Sequence, residues 1–370
     1  MTMASLTLLH IADVHLDAPF RWLGGKGKEQ RAQLKETFRA VIDLALQEQV
    51  DALLVAGDLF DSNSPSQDTL DLVQTQFRRL NAPVFLLPGT HDCYDESSIY
   101  RRLDFSGTRV QVFSDSRVAF EVGDLPLTVH GRANCSKTSS MSPLEGLKRN
   151  SGTRFNVALA HGSLAMPGTE HDFPLTPAGI NASGMDYVAL GHWHSCRDCS
   201  TSAVAAYYCG PPELLAEEVP GNPLLVKLSD QGISVEPRPL ARRRQRNVEL
   251  PLDHEQSQED VRERLLGMRD RDLVLSVALT GIRPLDLVVD AGTLCQELEA
   301  SFFSFKVVDN SHPSLSSEDF ERFPDNLVIG RFVRRMNEVI EGATTPEDKR
   351  IRERALQLGV ALLQGRKVLR

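Results

Sequence analysis

The chain has 370 residues, 41% hydrophobic and 25% charged, with a formal net charge of −9. That is more than one average domain holds, with the balance of an ordinary soluble protein, and the acidic charge argues against indiscriminate nucleic-acid binding, although local basic patches and metal ions still handle phosphates. No stretch approaches the roughly 20 apolar residues that span a bilayer, and residues 1–5 show no basic region or cleavage signal, so no signal peptide, no membrane contact and a cytoplasmic setting are expected.

Residues 6–12 read as a buried strand. Over 29–49, Leu34, Phe38, Val41 and Ala45 recur at helical spacing. A second strand follows at 52–56, a second helix at 65–80 and a third strand at 83–87. This βαβαβ order predicts a sheet with helices packed on it, and such sheets place ligands at the carboxyl ends of their strands. Segments 110–120 and 125–131 suggest an antiparallel addition. Further strands are expected at 156–160, 187–190, 204–208 and 224–228.

Six cysteines are scattered along the chain, too sparse for a disulfide framework. Cys196 and Cys199 form a CxxC just after His194, but no second CxxC follows at zinc-site spacing, so they read as two thiols in a surface loop. The run Arg242-Arg243-Arg244-Gln245-Arg246 marks a boundary and reads as a solvated linker, with a DNA contact as the less ordinary alternative. Beyond it, strands at 248–250, 273–279 and 302–308 alternate with helices at 256–268 and 286–300, a small α/β module. After Pro324 two helices are expected. The first carries Ile329, Phe332, Val333, Met336 and Ile340. The second opens on the N-cap Thr345 with Pro346 and acids behind it, and carries Ile351, Ala355, Leu358 and Leu362. Amphipathic terminal helices pack on their own domain or present a docking surface.

Five short motifs each follow an apolar run: Asp13-Val14-His15, Gly57-Asp58, Gly89-Thr90-His91-Asp92, His161 and Gly191-His192-Trp193-His194. Singly they mean little; in this order they predict one pocket at the strand ends. Alternate residues of extended backbone point to the same side, so Asp-x-His and His-x-His each aim two donors into it. The glycines at 57, 89 and 191 are expected to let the chain turn beside the site. Carboxylates and imidazoles in this number suit a pair of divalent ions about 3.5–4 Å apart, which lower the pKa of bound water and neutralise phosphate oxygens. Asp58 is the natural bridge. Asp13, His15 and His194 complete one shell; His161, His192 and the residue at 90 complete the other. His91 lies next to the second shell, where it can face the phosphate or protonate the leaving oxygen, with Asp92 holding its imidazole. His10 lies inside the first strand, and His130, His171, His254 and His312 have no motif around them, so these read as ordinary. Trp193 reads as packing, with base stacking as the alternative.

These residues resemble the calcineurin-like metallophosphoesterase superfamily. Within it, residues 10–20 (HIADVHLDAPF), Gly57 to Asp61, Gly89 to Asp92 and Gly191 to His194 resemble the DNA-repair exonuclease branch of SbcD and YhaO-like nuclease subunits, and Tyr208 to Glu213 resembles the segment closing its phosphoesterase domain. The likeness spans roughly residues 5–240. It implies a four-layer α/β/β/α sandwich over residues 1–240, a small α/β capping domain at 247–324 and a C-terminal helical partner-docking segment at 325–370. It also implies a DNA phosphodiesterase of 3′ to 5′ exonuclease and single-strand endonuclease type with two divalent ions, manganese being expected. An SbcC-like coiled-coil ATPase would dock on residues 326–364, and a homodimer would form through helices at 29–49 and after Pro65. The departure is Thr90, where the branch carries asparagine; threonine predicts a weaker second metal site. A phosphoesterase for small molecules or phosphoproteins shares every ligand, and a mainly structural DNA-end-binding subunit is the reading that Thr90 alone supports.

Overall fold

The computed structural model describes residues 5–365 apart from positions 254 and 256. The readings of residues 1–4, of His254 and of the last five residues therefore lie outside the described residues. Two compact units divide between Arg244 and Gln245.

The first unit runs β1 (Ser5–Ile11), α1 (Gly27–Gln47), β2 (Ala52–Ala56), α2 (Gln67–Arg78), β3 (Val84–Leu87), β4 (Val110–Val112), β5 (Ala119–Val122), β6 (Leu127–Gly131), β7 (Phe155–His161), α3 (Pro177–Ala182), β8 (Tyr187–Gly191), β9 (Arg197–Asp198), β10 (Ala205–Tyr208), β11 (Leu224–Ser229) and β12 (Gly232–Pro237). One six-stranded sheet has the order β12-β11-β1-β2-β3-β4 and the other β5-β6-β7-β8-β10-β9. Leu6, Leu8, Leu54 and Phe85 of the first meet Val129, Val157, Leu159 and Tyr187 of the second in a shared core. The alternate residues Leu9, Ile11, Leu53 and Val55 are buried too, so both faces of the first sheet are covered. On the helical side Phe38 of α1 and Phe77 of α2 meet edge to face at 5.8 Å. The outer face of the second sheet is covered by Ile180 of α3 with Leu144, Leu147 and Leu175 from loops. The outer layer on that side is thus a six-residue helix plus loop segments, which no helical period announces.

The antiparallel addition is corrected in one part. β5 and β6 pair antiparallel, but β4 pairs parallel to β3 as the edge of the first sheet. The long connection after β3 returns the chain to the same end, which a parallel pair requires. The arginine run is also not a solvated linker throughout. Glu213, fully buried, accepts the backbone N–H of Arg242 at 2.9 Å and of Arg243 at 3.1 Å. Arg243 is 2% exposed and pairs with Glu29, while Arg242, Arg244 and Arg246 are exposed.

The second unit contains β13 (Arg244–Pro251, which begins at the boundary), α4 (Gln258–Leu266), β14 (Asp270–Thr280), β15 (Ile282–Arg283), α5 (Ala291–Leu298), β16 (Phe302–Asp309), β17 (His312–Pro313), α6 (Ser317–Glu321), α7 (Val328–Glu341) and α8 (Pro346–Leu363). β13, β14 and β16 form a sheet whose Leu250, Leu275 and Phe302 pack with Leu265 of α4 and Leu294 of α5. α5 is shorter than the expected 286–300 because Asp290 caps it, accepting from the N–H of Gly292 and Thr293. α7 and α8 form a hairpin over Val333, Leu356 and Val360, and Thr345 caps α8 as its sequence reads. Arg354 of α8 donates to the carbonyl of Ile282 in β15 at 3.0 Å.

Candidate metal centre

The loops after β1 and β2 leave their sheet side by side. Asp13 N–H donates to Gly57 O at 3.1 Å, His15 N–H to Asp58 O at 3.0 Å and Asp61 N–H to Leu16 O at 3.0 Å. The backbone there is not extended: Asp13, His15 and Asp58 have φ of 54°, 47° and 51°, and His192 has 100°. Left-handed turns, rather than strand alternation, aim these side chains, and Asp and His are among the residue types that tolerate them best. Gly57 shares the conformation at φ 99°, and a Cβ there would lie 2.0 Å from His161 Nδ1. Gly89 serves by close approach instead, since its Cβ would lie 2.2 Å from Asp58 Oδ1.

The seven expected ligands converge. Asp13, His15 and His194 form one group and Asp58, His161 and His192 another, each with donor atoms within 4.8 Å of one another. Asp58 Oδ2 lies between them, 3.7 Å from His15 Nε2 and 3.2 Å from His161 Nε2. Its Oδ1 is held by the N–H of His91 at 2.8 Å, so one oxygen rather than two faces both groups. Thr90 Oγ1 donates to Asp58 Oδ2 at 3.3 Å and sits 3.4 Å from His161 Nε2. The N–H of His192 donates to both oxygens of Asp13, at 2.9 and 3.1 Å, tying one group to the other.

The donor set fits divalent cations. Imidazole and carboxylate oxygen together suit first-row divalent ions. His15 Nε2 is buried without a hydrogen-bond partner, a lone donor aimed into the cluster. The four imidazoles divide: burial, then His15, lowers His194 to about 4, and burial, then His161, lowers His192, whereas burial is outweighed by Asp58 at His161, which rises to about 9, and by the Asp61 hydrogen bond and Asp58 at His15, which also rises. Burial, helped by the charge of Asp58, pushes Asp13 up to about 7. Asp58 goes the other way: burial opposes ionisation, but the surrounding His161, His15 and His91 outweigh it and hold it ionised. A bound cation would displace the protons that offset these buried carboxylates and take over that balance.

His91 stands at the mouth with its side chain 51% exposed. The expected pairing with Asp92 is overturned. Asp92 is fully buried and accepts from Gly89 N–H at 2.8 Å, Phe60 N–H at 3.1 Å and the Tyr100 hydroxyl. It clamps the loops after β2 and β3 together, while the His91 ring turns its Nδ1 to the Asp61 carbonyl instead. The residue beside His91 is Asp61, whose carbonyl accepts from His91 Nδ1 at 3.2 Å and whose carboxylate accepts from His15 Nδ1 at 3.2 Å. The sequence reading missed Asp61, although it closes the quoted Gly57 to Asp61 motif. It also missed Asp172, which no motif marks and whose Oδ2 is 2.8 Å from His192 Nε2. Trp193 stacks on Tyr208 at 5.2 Å and donates to Ser163 Oγ at 3.1 Å, the packing role. Among the described residues the metal-capable groups include neither Cys196 nor Cys199, and both thiols are free. His10 is buried against the Tyr187 hydroxyl at 2.9 Å, and His130 against Asn156 at 2.9 Å. Beside His15, Asp61, His91 and His194 opens a cleft of about 470 Å³ whose apolar wall includes Phe20, Trp22 and Leu215.

A family model described as calcineurin-like phosphoesterase matches residues 6–196, the span that holds all of these donors. The metallophosphoesterase YhaO of Bacillus subtilis is 31% identical over 222 residues, 56% of this chain and 53% of the relative. The DNA double-strand break repair protein Mre11 of Aeropyrum pernix is 30% identical over 270 residues, 66% of this chain and 63% of the relative. Its namesake in Saccharolobus solfataricus is 26% identical over 234 residues, 57% and 55%. The chain spans between half and two-thirds of the length of these relatives.

Proposed function

Because this chain belongs to the calcineurin-like phosphoesterase family, whose members are metal-dependent hydrolases, we propose that it is a phosphodiesterase acting on DNA, an exonuclease of 3′ to 5′ type that also nicks single strands. The observation that carries the chemistry is the double cluster around Asp58 Oδ2. Support for DNA comes from the relatives named as DNA double-strand break repair proteins and from the HLDAPF segment, whose Phe20 lines the cleft beside the cluster.

In this reading Asp13, His15, His194 and Asp58 hold one divalent ion, and Asp58, His161, His192 and Thr90 hold the other, manganese being the proposed metal. When bound, the ions supply charge neutralisation at the phosphate and acidify water. The chain's own residues do the rest. Asp58 and Asp13 stay buried and fixed by the backbone N–H groups of His91 and His192, so the centre needs no rearrangement to receive charge. His91 has Nδ1 turned to the Asp61 carbonyl, which leaves Nε2 to meet a phosphate oxygen or hand a proton to the leaving oxygen.

The wider proposal keeps the partners that the resemblance implies. An SbcC-like coiled-coil ATPase docks on residues 326–364, which hold the α7–α8 hairpin, and a second copy pairs through α1 and α2. No described helix is long and apolar enough to cross a membrane. The test is cleavage of end-labelled duplex and single-stranded DNA with Mn2+, using Asp58→Asn and His91→Ala as controls. Cleavage abolished by both is expected. Turnover of a small phosphoester without cleavage of any nucleic acid would overturn the DNA reading while leaving the hydrolase intact.

A further inference from the structure

Three imidazoles of the centre share one device: one ring nitrogen is tethered and the other is left for the cluster. His15 Nδ1 is tethered to Asp61 Oδ1 at 3.2 Å, and His161 Nδ1 to the carbonyl of Ala56 at 3.0 Å. His192 uses the opposite nitrogen, Nε2, and its tether is a chain of side chains. Trp193 Nε1, which can only donate, donates to Ser163 Oγ at 3.1 Å. Ser163 is 2% exposed, and its own hydrogen is thereby directed to Asp172 Oδ2 at 2.5 Å. The same oxygen lies 2.8 Å from His192 Nε2.

Asp172 Oδ2 already accepts the Ser163 hydrogen and acts as the acceptor toward His192 too, so the hydrogen between them sits on Nε2. The loop that carries Asp172 is itself stapled. Ser163 N–H donates to Asp172 O at 3.0 Å, Leu175 N–H to Ser163 O at 2.8 Å and Phe173 N–H to Ser139 O at 2.9 Å.

The geometry points to Trp193, Ser163 and Asp172 as a positioning relay that fixes His192 in its Nε2–H tautomer and leaves Nδ1 as the nitrogen that would bind the second cation together with Asp58 and His161. The inference rests on the two-metal reading above and deepens it. Its weight falls on the second site because Thr90 there offers only a hydroxyl already engaged with Asp58. With one donor weak, the remaining imidazoles must be presented in the right tautomer without help. Outer partners of this kind set metal affinity by about 10–100-fold.

The test has two readouts, and the first needs no metal. Long-range 1H–15N correlation spectra of the metal-free full chain report which nitrogen of His192 carries the hydrogen. Mn2+ titration followed by electron paramagnetic resonance reports the two binding constants. In the wild type, His192 is expected as a single Nε2–H tautomer. Asp172→Ala is expected to give a tautomer mixture and to weaken the weaker site by about 10–100-fold, with the tighter site unchanged. Ser163→Ala, a gentler change, is expected to move both readouts the same way by less. A hydrogen on Nδ1 in the wild type would overturn the relay. So would an unchanged weak site in Asp172→Ala, or both sites weakening alike. A weakened site with the tautomer unchanged would make Asp172 a direct ligand and overturn the relay too. Saturation of the wild type at one Mn2+ would instead overturn the two-metal reading, and the tautomer would still judge the relay.

Discussion

Thr90→Asn tests the weak point of the centre. Thr90 is 6% exposed, and its hydroxyl lies 3.3 Å from Asp58 Oδ2 and 3.4 Å from His161 Nε2. It therefore commits its hydrogen to the oxygen that the two proposed cation shells would share. Asparagine would bring a carbonyl oxygen with no hydrogen on it, freeing Asp58 Oδ2 and adding a donor to the second shell. A hydrogen bond to a charged group contributes about 1.5–3 kcal/mol, and exchanging it for a ligand oxygen is of the same order. Converted, that is roughly a 10- to 100-fold tighter second site. The assay is a two-site Mn2+ titration at fixed pH, with Thr90→Val as the shape-preserving control. The weaker constant should tighten in Thr90→Asn and the stronger should stay put, while Thr90→Val should bind the second ion no better than wild type. Equal weak-site constants in wild type and Thr90→Asn, or a gain shared by both sites, would refute the reasoning.

Both tryptophans, Trp22 and Trp193, lie in the first unit, so their fluorescence follows its unfolding in urea. Glu213 accepts from Thr37 Oγ1, Leu214 N–H, Arg242 N–H and Arg243 N–H. Glu213→Gln would turn an amide toward one of those N–H groups, and a loss of about 1–3 kcal/mol is expected; an unchanged midpoint would show that the clasp on the arginine run is dispensable. His10, fully buried, is pushed down to about 3 by burial, against a hydrogen bond with the Leu190 backbone. Unfolding exposes an ordinary imidazole, so below its usual pKa of about 6.5 the unfolded chain takes up a proton that the folded chain refuses. Stability is therefore unaffected above that pH and falls as pH drops toward 3, by about 2 kcal/mol at pH 5. His10→Gln should flatten that slope; an identical acid slope in the variant would place the sensitivity elsewhere.

The strands were legible because buried runs such as residues 52–56 and 83–87 are short, apolar and bounded by turn residues. The convergence of the Asp and His side chains was legible because each ends such a run. What escaped was set by contacts between distant segments. Asp92 neighbours His91 in the chain, yet its oxygens are taken by Phe60, Gly89 and Tyr100. Asp172 reaches His192 only because a stapled loop folds back on itself. Val110 to Val112 pairs parallel because of where the preceding loop delivers it. The burial of Arg243 depends on Glu29 and Glu213, far upstream, so a charge run read in isolation looked solvated.

The left-handed backbone at Asp13 and Asp58 changes how a ligand knockout must be designed. Alanine at either position removes a carboxylate and also installs a residue that pays about 1–2 kcal/mol for that conformation. Lost activity in such a variant would mix a missing charge with a shifted loop. Asparagine, which tolerates the left-handed region, removes the charge alone. Alanine scanning of this centre would therefore exaggerate the two carboxylates relative to His161 and His194, whose backbones carry no such demand.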